Sequence, residues 1–277
     1  MNGLWVRGGA ALTFACGASA GIPAGAAPIK SGARLASPTV VLRVDYTDFS
    51  KLFGDRVIAS GESSFGVSKE TQLALNVSSG RRRAGGNSIE ATSVAGSIDH
   101  DWTDRLSSHT SIGLATNGSI FARRQFIQDF SYRFGGGFSA TLGGKFADYG
   151  SNNRVTTWSA GAGYYFRGGS FSYRFSLLDS NRLGVSHAHL ASLRLSDPAG
   201  SGSTQLWLGR GSSLYDVSVS PTAAKGNFTS VALLRRQPIA SGVSLNVGVN
   251  RTWYDTPNGS YRGTGATIGL TVANLKI

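Results

Sequence analysis

The sequence predicts an all-β protein, a transmembrane antiparallel up-and-down β-barrel of about 14 strands, with 12 as the alternative count. Three observations predict it. The pentapeptide Phe-Ser-Tyr-Arg-Phe occurs at Phe130 to Phe134 and again at Phe171 to Phe175, each beside a glycine turn. With the two-residue period of a strand, each copy puts three aromatics on one face and Ser plus Arg on the other. An arginine on a lipid face costs about 2 to 4 kcal/mol at the bilayer midplane, so the aromatic face is expected outside and Arg133 and Arg174 inside. The second observation is a mean hydropathy of -0.07, as expected where half of each strand is polar, together with no apolar run of the ~20 residues a spanning helix needs. The third is a succession of segments of alternating polarity bounded by turn residues.

The cleanest strands are read directly. Val243, Leu245, Val247 and Val249 oppose Ser244, Asn246, Gly248, Asn250 and Thr252; Phe138, Ala140, Leu142 and Phe146 oppose Ser139, Thr141, Gly143 and Lys145; Val40, Leu42, Val44 and Tyr46 oppose Arg43, Asp45 and Thr47. Further strands are expected at 56–66, 69–79, 88–101, 106–117, 121–134, 154–166, 170–179, 185–196, 203–213, 227–237 and 261–273. The segment holding Val231 to Leu234 is apolar on both faces and has no legible direction. Gln128 falls on the apolar face of its strand and Ile127 on the polar one, against the pattern.

Connection lengths orient the barrel. Short turns are expected at Val67-Ser68, Thr103-Asp104, Gly135 to Gly137, Gly168-Gly169, Pro198 to Gly202 and Ala240 to Gly242. Longer loops are expected at Asp48 to Asp55, Gly80 to Asn87, Ser180 to Gly184 and Tyr215 to Gly226. Short turns belong on the periplasmic side and long loops outside. Aromatics near both sets of connections fit interfacial girdles.

Ahead of the barrel at 39–277, residues 1–26 read as a signal peptide and 27–38 as a periplasmic lead-in. Cleavage after Ala20 or Ala26 removes Cys16, the single cysteine of the 277-residue chain; a lipoprotein site at Cys16 is the competing reading. No thiolate chemistry or disulfide then remains in the mature chain. The formal charge of +12, from 27 Lys and Arg against 15 acids, raises nucleic acid as a partner, but the bases are dispersed and nucleic acid is not expected. Arg81-Arg82-Arg83 is the one run, read as part of a glycine-rich turn that is solvated or meets lipopolysaccharide phosphates.

Several spaced blocks carry a family resemblance. They are Leu75 to Arg82; Phe121-Ala122-Arg123 with Phe126, Gln128 and Asp129; Leu193 to Pro198 with Gly202; Thr204 to Leu208 with Arg210-Gly211; and Trp253 to Pro257. In these the chain resembles the YaiO family of outer-membrane β-barrel proteins. The resemblance implies a non-enzymatic barrel associated with surface polysaccharide.

Candidate chemistry is sparse. His187 and His189 share a strand face, as a metal pair or a base for a nearby serine would, but no third ligand or orienting carboxylate is identifiable by spacing, and Ser108-His109 carries little weight because serine is common throughout the chain. No catalytic residue, metal site or cofactor is expected. Gly161-Ala162-Gly163 lies in a strand with no following helix, so it is no phosphate loop. The functional candidates are the inward arginines Arg43, Arg123, Arg133, Arg174 and Arg194, a lumen-basic set for an anion path, with Asp45, Asp99 and Asp129 as acidic company. Two outcomes stay open: a structural network of Arg–Asp pairs, or a positive field favouring anions. The expected function is a surface-polysaccharide-associated barrel, a passage for anionic or sugar polymers. The alternatives are a structural or receptor-type barrel working through its loops, and an outer-membrane lipid hydrolase. Expected partners are outer-membrane lipid and lipopolysaccharide, the barrel-assembly machinery, exopolysaccharide and periplasmic export components.

Overall fold

The computed structural model describes residues 37–181, 184–198, 202–214, 225–256 and 259–273. The segment expected as a signal peptide, most of the expected lead-in and most of the loop expected at Tyr215 to Gly226 lie outside these residues. Fourteen strands form one closed antiparallel barrel in which each pairs with its neighbours in sequence. They are β1 (Thr39–Phe49), β2 (Asp55–Gly66), β3 (Thr71–Ala84), β4 (Asn87–Asp101), β5 (Leu106–Ala115), β6 (Arg124–Gly135) and β7 (Phe138–Asp148). The second half comprises β8 (Arg154–Phe166), β9 (Gly169–Ser180), β10 (Gly184–Ser196), β11 (Ser203–Leu214), β12 (Lys225–Ala240), β13 (Val243–Thr256) and β14 (Gly259–Ala273). Closure comes from β1 against β14, with Arg43 opposite Gly269 and Tyr46 opposite Ala266. Closure leaves no unpaired edge, which hydrocarbon requires.

The outer wall is apolar for the reason the alternation gave. Leu42, Val44, Phe130, Leu142, Trp158, Val247 and Ile268 are all exposed, whereas Thr47, Ser78, Ser192, Asn246 and Thr267 on the opposite face are buried. The core of a soluble protein has the reverse arrangement. Gln128 is accommodated on the outer wall because Thr110 Oγ1, one strand over, donates to its Oε1 at 2.7 Å, and its own amide donates to the Asp129 carbonyl at 3.3 Å. Thr110→Val is therefore expected to destabilise the barrel by about 1 to 3 kcal/mol, the cost of an unmet polar group. Urea unfolding in detergent micelles measures it; an unchanged midpoint would reject this pairing as the reason Gln128 is tolerated.

Three expectations about the connections need correction. Gly80 to Asn87 is no loop: β3 continues to Ala84 and a two-residue turn, Gly85-Gly86, leads into β4. Both glycines have positive φ, 57° and 83°, the conformation of a tight hairpin turn whose twist matches its strands. Arg81-Arg82-Arg83 thus lies within β3, and alternation sends Arg82 inward and its two neighbours outward. Secondly, Ser180 to Gly184 is also short, since β9 ends at Ser180 and β10 begins at Gly184. Thirdly, the β5–β6 connection occupies 116–123, so Phe121, Ala122 and Arg123 belong to a loop and not to a strand.

Candidate functional site in the lumen

Of the five arginines expected inside, four are there. Arg43, Arg133, Arg174 and Arg194 fall on the faces that carry Thr47, Asp129, Ser176 and Ser192. Arg123 is the exception: it sits in the 116–123 loop, exposed, and its guanidinium lies against Gly150 of the β7–β8 loop. The strand phase assigned to it does not apply, because pairing in β6 begins one residue later, at Arg124.

Three of the inward four are paired. Arg43 Nε lies 2.8 Å from Asp45 Oδ2, and Thr267 Oγ1 of β14 donates to Asp45 Oδ1 at 2.6 Å. Arg133 reaches Asp101 at 3.5 Å and the Asp104 carbonyl at 3.2 Å. Arg174 makes the longest reach, from β9 across β8 and β7 to Asp129 on β6. Its two terminal nitrogens donate to the two carboxylate oxygens at 2.5 and 3.3 Å, and one also donates to Ser159 Oγ at 2.6 Å. Gly143 of β7 makes this geometry available, because a Cβ there would run into the Asp129 carboxylate and the Arg174 guanidinium. Asp99, the third expected acid, accepts from His109 Nδ1 at 2.8 Å. Every one of these pairs lies on the wall formed by β1 to β9, apart from the Thr267 contact.

Several inward groups escaped the sequence reading. Arg56 and Arg82 oppose each other on β2 and β3, beneath Phe49, whose ring centroid lies 5.6 Å from one guanidinium carbon and 4.8 Å from the other. Glu62 sits on the same β2 face as Arg56. Arg236 faces inward on β12, opposite Ser203 and the buried Asn246. The ambiguous β12 could have been phased through its neighbour: β13 alternates cleanly, and a hairpin register across Ala240 to Gly242 places Arg236 beside Asn246.

The wall from β10 to β14 has a different chemistry. Its inward side chains include Ser192, Trp207, Ala232, Asn246, Thr252 and Thr271, all buried and none ionised. Arg194 and Arg236 are the charged groups on it, and among the described residues neither has a carboxylate partner. The strand register places them two strands apart, toward the end that carries the β10–β11 and β12–β13 turns.

The outer end is narrowed from two sides. A single 3-10 turn, Lys51–Phe53, folds Phe53 over Tyr261, ring centroids 4.1 Å apart, and Tyr261 stacks in turn on Tyr254 at 4.5 Å. Phe49 and Phe228 complete this aromatic cluster. From the other side the 116–123 loop lays Ile120 and Phe121 over Gly80, where a Cβ would come within 2.8 Å of Ile120 Cγ2 and 3.1 Å of the Phe121 ring. Gly118 of that loop packs directly against the Tyr149 carbonyl.

Neither histidine arrangement considered from the sequence forms. His187 and His189 point outward, not into the lumen, because they alternate with Ala188 and Leu190 on β10; His189 Nδ1 is 2.7 Å from the Tyr173 hydroxyl. Ser108 and His109 occupy opposite faces of β5, with Trp102 Nε1 donating to Ser108 Oγ at 2.9 Å. Among the described residues no group of three His, Cys, Asp or Glu gathers as metal ligands would. The β10–β11 turn is clamped by Arg235, which donates to both Asp197 oxygens at 2.7 and 2.6 Å. Those hydrogen bonds hold the Asp197 carboxyl below the usual carboxylate range.

A closed sheet with an apolar exterior and a polar, charge-bearing interior defines a membrane β-barrel of the outer-membrane class. The profile of the YaiO membrane beta barrel domain matches residues 38–216, well over half of the chain, and the protein belongs to that family. The match takes in four of the five blocks that carried the resemblance; Trp253 to Pro257 lies beyond it. Among solved structures, a bacterial polysaccharide outer membrane secretin is similar at a TM-score of 0.54 and 7% identity, over 84% of this chain and 98% of that one. The translocator domain of the autotransporter NalP from Neisseria meningitidis gives 0.48 at 12% identity, over 86% and 89%. OprD of Pseudomonas aeruginosa gives 0.46 at 10% identity, over 87% and 96%. At such identities the likeness is one of fold.

Proposed function

We propose that this outer-membrane barrel is a surface-polysaccharide-associated passage for anionic sugar polymers. The observation that carries the reading is Arg194 and Arg236, two inward arginines without carboxylate partners among the described residues, on a wall whose other inward side chains are uncharged: hydroxyls, amides, Trp207 and apolar groups such as Leu190, Ala232 and Leu234. Hydroxyl and amide groups exchange hydrogen bonds with sugars, an aromatic ring offers them an apolar face, and unneutralised guanidinium groups favour carboxylate or phosphate substituents. The paired charges on β1 to β9 act on this reading as structure, so both outcomes left open by the sequence have a place, on opposite walls. The aromatic cluster at the outer end is then a gate. Delivery of polymer to the periplasmic mouth would fall to periplasmic export components, and the barrel-assembly machinery would insert the barrel.

Planar-bilayer recording tests the reading. Phe53→Ala with Tyr261→Ala should increase the fraction of time conducting, with anions preferred over cations. Adding Arg194→Ala and Arg236→Ala should remove the preference and weaken block by an acidic polysaccharide about tenfold. A silent record from both wild type and gate variant, or unchanged selectivity without the two arginines, would reject the passage. A receptor-type barrel acting through its outer loops is the second reading, favoured by that same narrowing of the outer mouth. It predicts that deleting 215–224 abolishes partner adsorption and leaves conductance unaltered.

A further inference from the structure

The outer surface of β10 to β14 carries a feature that a lipid-facing wall does not need. One row of cross-strand partners runs His189, Arg210, Thr229, Trp253, Arg262 over five consecutive strands. Neighbouring strands lie ~4.8 Å apart, so the row is about 19 Å wide. All five side chains point outward, since the inward positions between them are held by Gly209, Gly211, Thr252 and Gly263. Two more basic groups adjoin the row. His187 lies one outward position along β10, its ring 5.6 Å from that of His189. Arg251 lies one outward position along β13, its guanidinium carbon 5.4 Å from the Trp253 ring centroid.

The patch holds three arginines and two histidines. Among the described residues the sole outward carboxylate on these five strands is Asp255, at the outer tip, which already accepts from Ser260 Oγ at 2.9 Å. On the outward face of β6 to β8, by contrast, the rim arginines share an acid: Arg124 opposes Asp148 across the β6–β7 ladder, and Arg154 lies 4.0 Å from the same Asp148. Guanidinium groups turned toward hydrocarbon without counter-charge are unfavourable, and the row lies in the outer half of the wall, where their long side chains reach the head-group layer.

We propose that this row is a binding site for a phosphorylated glycolipid of the outer leaflet, its phosphates held by Arg210, Arg251 and Arg262. Arginine pairs with phosphate through two parallel N–H donors, and three arginines spread over four strands suit a head group bearing more than one phosphate. Trp253 lies between Arg210 and Arg262 and offers its indole at the interfacial depth that tryptophan favours. His189, tied to Tyr173, bounds the site on the β9 side. The site is on the barrel exterior, so the proposal is independent of the passage through the lumen.

Full-length protein in mixed micelles, titrated with bisphosphorylated lipid A and with its dephosphorylated form, tests this. Wild type should prefer the bisphosphorylated lipid. Arg210→Gln/Arg251→Gln/Arg262→Gln should weaken that binding by about tenfold or more, with little effect on the dephosphorylated lipid. Arg124→Gln/Arg154→Gln, equally near the rim, should bind as wild type does. Heat-modifiable gel migration confirms that each variant is folded; should the triple variant fail to fold, Arg210→Gln alone should show about a threefold loss. Equal affinity for the two lipids, an equal loss in the control variant, or an unaffected arginine variant would overturn the site. So would a halving of particle mass in the triple variant, which would make the row a contact between two copies of the chain.

Discussion

Val94→Arg is expected to prevent or severely impair assembly, while Ala95→Arg one residue away is expected to assemble. Val94 is 46% exposed on the outer wall, midway along β4, with the outward Val77 and Leu114 as its cross-strand partners. An arginine there enters the hydrocarbon at a cost of about 2 to 4 kcal/mol. Ala95 points into the lumen beside Asn76 and Gly113, with Glu62 opposite Asn76 one strand further. A guanidinium at 95 therefore has water, an amide and a carboxylate within reach. Heat-modifiable migration and urea unfolding in micelles distinguish the two. Greater impairment by Ala95→Arg would mean that the inner and outer faces of β4 have been exchanged, and equal impairment that β4 does not divide hydrocarbon from water.

Arg174→Ala should destabilise the folded barrel by about 3 to 5 kcal/mol, because it leaves a buried carboxylate, Asp129, without its ion-pair partner. Only 3% of the Asp129 side chain is exposed. Its other near neighbours, Gly143 on β7 and His109 on β5, leave the arginine as its principal counter-charge. Asp129→Leu combined with Arg174→Met should recover most of the loss, since two apolar groups need no pairing. Unfolding midpoints for the single and double variants decide the matter. A single variant as stable as wild type would show the pair to be dispensable.

What was legible in the sequence follows from where the physical signal was strong. Strands facing hydrocarbon on one side and water on the other alternate with period two, and β1, β7 and β13 were readable residue by residue for that reason. β12 was not, because Val231 to Leu234 supply apolar side chains to both faces, and with its phase went Arg236, half of the candidate anion site. The run Arg81 to Arg83 looked like a turn because charge and glycine usually mark solvated connections. In fact β3 carries those charges to its outer end, where Arg82 lies under Phe49. Arg123 was misplaced because Phe-Ala-Arg alternates like a strand but belongs to a loop folded over Gly80. Pairs such as Arg174 with Asp129, 45 residues apart, depend on which strands adjoin and on Gly143 leaving a gap. Spacing along a chain does not encode either. The outward row from His189 to Arg262 was equally hidden, since each strand contributes a single member and only the register aligns them.

The reach of Arg174 over two intervening strands has a mechanical consequence. It works as a tie-rod across the arc from β6 to β9, and the His109–Asp99 contact joins β5 to β4 in the adjoining stretch of the cylinder from within. Among the described residues no ion pair ties the arc from β10 to β14 from within; its neighbouring strands are joined there by lighter contacts such as Asn246 to Thr271. Departures from a round cross-section should therefore collect on that softer side, so the diameter varies most along the very wall where Arg194 and Arg236 wait.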